Sequence, residues 1–112
     1  MTNEELDKAV AEAHGLAKWY NWMDSDYDGE FPAYRVNGHG AVWAYWSEED
    51  MELYSPSTNW QQAGELLEKY HIELEWKGAE WIASTYSPER ESQSISSTPQ
   101  RAICMAVLEA EK

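Results

Sequence analysis

The chain has 112 residues, 43% of them hydrophobic and 13% aromatic, with seven Trp and seven Tyr; that length fills one domain, and so much large apolar surface excludes a disordered acidic chain. Twenty-one acidic residues against eight basic ones give a net charge of −13, which excludes direct binding to nucleic acid or an anionic membrane, where clustered Lys and Arg must neutralise phosphate. No stretch nears the ~20 apolar residues that span a bilayer, and the acidic start MTNEELDKAV lacks the basic and apolar regions of a signal peptide, so a cytoplasmic protein is expected.

In chain order, the first helix is predicted from its start. Thr2 and Glu5 have the spacing of a capping box, and Leu6, Ala9, Val10, Ala13 and Ala17 then recur at helical spacing. Residues 34–36 and 41–46 flank Asn37-Gly38-His39-Gly40 and read as a hairpin in which Asn-Gly supplies the positive φ of a tight turn; Leu53-Tyr54 adds an edge. Along its second strand Trp43 and Tyr45 point to one side and Trp46 to the other. These rings fill the core or, if helices cover one side alone, leave a patch for self-association as a homodimer. Thr58 with Gln61 is a second capping-box spacing, followed by the stripe Trp60, Ala63, Leu67 and Tyr70. Ile72, Leu74 and Trp76 alternate with Glu73, Glu75 and Lys77, and Gly78-Ala79 turns the chain into residues 81–86, a second hairpin. The polar, Ser-rich residues 87–98 read as a mobile surface loop. A third helix starts near Ser97, Thr98 and Pro99 and carries Ile103, Ala106, Val107 and Ala110 inward. The predicted architecture is α+β: an antiparallel sheet of about four strands, in two hairpins, packed with three amphipathic helices in one domain over residues 1–112.

This order of elements can be set beside known families. Residues 54–76, YSPSTNWQQAGELLEKYHIELEW, paired with residues 98–112, TPQRAICMAVLEAEK, resemble small bacteriophage proteins of the phage ABA-sandwich family and the related NinX-like family; residues 6–16, LDKAVAEAHGL, fit their opening helix. The shared motifs are structural: a capped helix after a Pro-Ser-Thr turn, a hairpin and a Pro-capped final helix. The resemblance implies helices packed on an antiparallel sheet and carriage on a phage or prophage genome. It brings no catalytic residues.

Candidate chemistry is sparse. Asp24, Asp26 and Asp28, followed by Gly29, match the opening of a calcium loop, in which alternate carboxylates converge on a hard cation. The twelfth position is Arg35 where a bidentate Glu is needed, so these aspartates form a weak Ca2+ site or a solvated acidic turn. No other cofactor is expected. His14, His39 and His71 have no metal-triad spacing, and no GxSxG elbow or GxxxxGK loop is present. Lone Cys104 has neither a disulfide partner nor a CxxC neighbour, and its setting AICMAV reads as a buried helix face. An enzyme is not expected.

The acidity is concentrated. Residues 24–54 hold Asp24, Asp26, Asp28, Glu30, Glu48, Glu49, Asp50 and Glu52 against Arg35 alone, a net −7 of the total −13. Interleaved aromatic residues make Tyr27, Tyr45, Trp46, Glu48, Glu49, Asp50 and Glu52 the candidate partner-binding set, with charge steering a basic partner and rings anchoring it. The plainer alternative is charge that maintains solubility. The leading functional reading is a phage-type accessory protein of the bacterial host cytoplasm. It would bind a host protein with a basic surface and inhibit a defence or nucleic-acid-processing factor. The alternatives are a calcium-stabilised module and a small-molecule or nucleotide-sequestering protein in which Arg35, Arg90 or Arg101 converge on phosphate.

Overall fold

A computed structural model describes residues 1–18, 31–47, 49–87 and 90–111. Three helices, α1 (Asn3–Ala13), α2 (Trp60–Lys69) and α3 (Pro99–Ala110), combine with seven strands: β1 (Ala17–Lys18), β2 (Ala33–Val36), β3 (Val42–Tyr45), β4 (Met51–Leu53), β5 (Glu73–Lys77), β6 (Glu80–Ser87) and β7 (Arg90–Ser96). The fold is α+β, as expected, but its two hairpins belong to separate sheets. The first sheet has the order β1-β2-β3-β4, with β1 parallel to β2 and the remaining pairs antiparallel; the second is the antiparallel β5-β6-β7. Helix α3 packs on β6 and β7 and against α1 and α2, while α1 covers β3, so α1 and α3 lie between the two sheets.

The caps explain where the helices sit. Thr2 and Glu5 form the predicted capping box on α1, each side chain taking the other's backbone N–H, and Thr98 caps α3 ahead of Pro99. For α2 the prediction is one residue early. Thr58 is drawn into a turn whose N–H groups at Thr58 and Asn59 both reach the Ser55 carbonyl. Asn59 therefore becomes the cap and accepts from the Gln62 N–H at 3.0 Å. Trp60, expected on the buried stripe, sits in the first turn and is 54% exposed, while Ala63 and Leu66 go inward.

Both α1 and α2 end with paired reverse bonds of the kind that require a left-handed residue just past the cap. After α1 that residue is Gly15 at φ +90, with Gly15 N–H on Glu12 and Leu16 N–H on Ala11. After α2 it is His71 at φ +52, with His71 N–H on Glu68 and Ile72 N–H on Leu67. In the first hairpin the Asn37 carboxamide builds the turn, accepting from the His39 and Ala41 N–H groups, and positive φ falls on Gly40 rather than on Asn-Gly.

The Ser-rich stretch is not a mobile loop: residues 90–96 pair with β6 as strand β7. Its sequence has Ile95 as its one β-branched residue and no aromatic ring, a weak strand signal. The small Ser94, buried at 5% exposure, gives α3 a surface it can approach closely. The core joins Leu6, Val10, Tyr34, Val42, Leu66, Ile103 and Val107 from helices and the first sheet, with Ile72 and Ala83 beside the second. Tyr34 ties sheet to helix by donating its hydroxyl to the Glu12 carboxylate. Ile72, Leu74 and Trp76 alternate as predicted, but Trp76, near the hairpin end of β5, is 52% exposed and rests on Trp81 at 5.1 Å between ring centroids. Among the described residues no helix is long and apolar enough to cross a membrane.

Candidate functional site

The candidate partner-binding residues gather at the free end of the first sheet. Strand β3 leaves the hairpin at Tyr45 and returns as β4, with Tyr45 opposite Met51, Ala44 opposite Glu52 and Trp43 opposite Leu53. The turn between them closes on itself. Trp46 N–H donates to the Asp50 carbonyl at 2.8 Å, and Asp50 N–H donates to Ser47 Oγ at 3.2 Å.

Strand alternation divides the set between two faces. On the core side, Trp46 packs edge-on to Tyr54 at 6.2 Å and donates its Nε1–H to Glu52 Oε1 at 3.1 Å. Tyr54 is deeply placed there, and burial pushes its hydroxyl above the ordinary phenol range. On the outer side lie Trp43, Tyr45, Met51 and Leu53, with the Arg35 guanidinium 5.8 Å from the centre of the Tyr45 ring. Trp46, not Trp43 or Tyr45, joins the core. The site is therefore an edge wrapped by two chemically different faces rather than one acidic, aromatic face.

Tyr45, Trp46, Glu49, Asp50 and Glu52 all belong to this end; Tyr27 and Glu48 lie outside the described residues. Glu49, Asp50 and Glu52 are exposed. Sequence reasoning missed Met51 and Leu53, which are 57% and 45% exposed on β4. The alternation Met51-Glu52-Leu53, directly after an acidic turn, was the available signal for a short solvent-facing strand. Gln62 was missed too: from α2 its carboxamide reaches the Leu53 carbonyl and the Ser55 N–H.

The other candidates stay apart. Asp24, Asp26 and Asp28 lie outside the described residues; Arg35, their twelfth position, sits in β2. Among the described residues no cluster of three His, Cys, Asp or Glu could hold a metal. His39 is exposed in the hairpin turn and His71 just past α2. His14 caps α1 with Nδ1 3.2 Å from Lys69 Nζ, and burial, then that ammonium, hold its ring below the ordinary imidazole range. Arg35 and Arg101 do not converge. Arg35 lines an open depression of about 440 Å³ with Val36, Asn37 and Gly38. Arg101 borders a separate depression of about 430 Å³, where its guanidinium is committed to the Asn3 side chain and the Met1 carbonyl. Cys104 is fully buried, and desolvation pushes its thiol up to about 12.

No curated protein matches the chain. A family model, described as Bacteriophage P22, NinX, matches residues 1–110. Because that match takes in all three helices and both sheets, the chain belongs to the NinX family of phage proteins.

Proposed function

We propose that this phage accessory protein has no catalytic activity and works in the host cytoplasm by binding a host protein that carries a basic surface, thereby inhibiting a defence or nucleic-acid-processing factor. The observation that carries the reading is the exposure of Glu49, Asp50 and Glu52 at one end of the first sheet, beside Trp46 and Tyr45. Exposed carboxylates on a chain of net charge −13 attract a cationic partner over roughly one Debye length, about 10 Å at 0.1 M salt. Large rings next to them supply the contact area that charge alone lacks.

A pull-down from host lysate tests it. The wild type is compared with a variant carrying Glu48→Gln, Glu49→Gln, Asp50→Asn and Glu52→Gln. The wild type is expected to recover basic proteins at about 0.1 M salt and to release them near 1 M, where the Debye length falls to about 3 Å. The variant should fail to recover them. Identical recovery by the two proteins would remove the acidic site from the function.

A further inference from the structure

We infer that the free edge of β4 takes an extended basic segment of the partner as an added antiparallel strand, reading an apolar–basic–apolar triplet. This rests on the acidic site proposed above and specifies its mode of recognition. Strand β4 ends the order β1-β2-β3-β4. The bonds Trp46 N–H to Asp50 and Tyr54 N–H to Val42, with Ala44 opposite Glu52, fix which groups face which way. In an antiparallel ladder the bonded residues alternate. Asp50, Glu52 and Tyr54 therefore turn their backbone groups toward β3, and Met51, Leu53 and Ser55 turn theirs outward.

Part of that outward row is already taken. The Gln62 side chain donates to the Leu53 carbonyl at 2.8 Å and accepts from the Ser55 N–H at 2.7 Å, as a neighbouring strand would. What remains open among the described residues is the N–H and carbonyl of Met51 and the N–H of Leu53. An added strand can exchange two bonds with Met51 and accept one from the Leu53 N–H, and Gln62 sets where it must stop. This is β-strand addition, in which main-chain bonds supply affinity and alternating side chains supply choice.

The side chains define that choice. A residue opposite Glu52 falls in a non-bonded pair, where Cα atoms approach to about 4.5 Å and side chains are closest. A Lys or Arg there meets the Glu52 carboxylate, with Glu49 and Asp50 nearby. Residues opposite Met51 and Leu53 point to the other face, toward the exposed Met51 and Leu53 side chains and the Trp43 and Tyr45 rings. A second copy of this chain is the poorer occupant. Antiparallel pairing about Glu52 sets like charge against like, between chains of −13 each.

The probe is a short acetylated peptide in which Val alternates with Lys, titrated into the full-length protein by calorimetry at low salt. One control peptide replaces Lys by Glu; a second carries an N-methyl group on the amide whose N–H would donate to the Met51 carbonyl. A Met51→Pro variant removes the outward N–H while keeping every carboxylate and every bond to β3. The wild type is expected to bind the Lys peptide and not the Glu peptide. N-methylation and Met51→Pro should each weaken binding about tenfold, the weight of one or two backbone hydrogen bonds. If the variant loses structure, the N-methyl peptide reads the same edge on the intact protein. No binding of the Lys peptide, or equal binding with and without the N-methyl group, overturns the edge proposal. Binding indifferent to N-methylation but lost in the four-carboxylate variant leaves the acidic site standing alone; indifference to both removes the two together. A dimer abolished by Met51→Pro would overturn the proposal in favour of a second copy.

Discussion

Asp7 offers the sharpest test of the packing between α1 and the segment that leads into α2. It faces the core from the second turn of α1, 5% exposed, and its Oδ1 accepts the N–H of Ser57, itself 3% exposed, at 2.9 Å. Asp7→Ala leaves that N–H buried without an acceptor, which costs about 1–3 kcal/mol. At about 3–6 °C per kcal/mol for a chain of this length, Tm should fall by roughly 3–18 °C. Asp7→Asn keeps an acceptor oxygen and removes the charge. Burial is the main influence on the carboxyl and raises it above its ordinary 3.8, against the lowering effect of the Ser57 bonds. A carboxyl raised by folding is held more tightly as the acid in the folded state. Its stabilising contribution is fully present below pH 3.8 and is lost as pH rises through the elevated folded value. Asp7→Asn should therefore match or exceed the wild type in Tm at pH 7, and any advantage should shrink as pH falls toward 3.8 and below. Thermal unfolding followed by circular dichroism across this range measures both effects. If Asp7→Ala melts within 1 °C of the wild type (roughly 0.2–0.3 kcal/mol), or Asp7→Asn loses as much as Asp7→Ala at pH 7, the buried-acceptor argument is wrong.

Two further outcomes follow from single residues. His71→Gly removes the side chain from a left-handed position at φ +52 and should raise stability by about 1 kcal/mol, read as the urea midpoint at unchanged slope; a loss of stability would mean that the imidazole contributes more than the backbone conformation costs. Cys104, fully buried with its thiol pushed up to about 12, should resist a thiol reagent at pH 8 in the folded protein and react at once in denaturant. Rapid labelling of the native chain would contradict its place in the core.

Helix starts were legible because a cap is a local event. Thr2 with Glu5, and Thr98 before Pro99, bond within a single turn, so spacing alone locates them. Thr58 misled for an equally local reason: the Ser55 carbonyl drew residues 58 and 59 into a turn and passed the cap to Asn59. What could not be read was long-range. Apart from Ile95, residues 90–96 have little strand propensity, and pairing with β6 beneath α3 makes them β7. Trp60 and Trp76 match their periodic stripes, yet periodicity gives direction and not coverage. Each ends up about half exposed at the margin of its element.

The candidate site follows the same division. Acidic residues and rings were visible as a cluster in sequence, and Tyr45, Trp46, Glu49, Asp50 and Glu52 do meet at one end of the first sheet. Their arrangement depends on a register that pairs Tyr45 with Met51 and so turns Tyr45 and Glu52 to opposite faces. The same register aims the Met51 backbone outward, while Gln62, from a helix that begins seven residues after Leu53, closes the Leu53 carbonyl. Charge density read along the chain therefore locates the surface but mistakes its geometry. Neutralising carboxylates perturbs only the component that acts through space, whereas a proline at Met51 perturbs the component that acts through the backbone. The two can be separated experimentally because alternation puts carboxylate and open amide on adjacent residues.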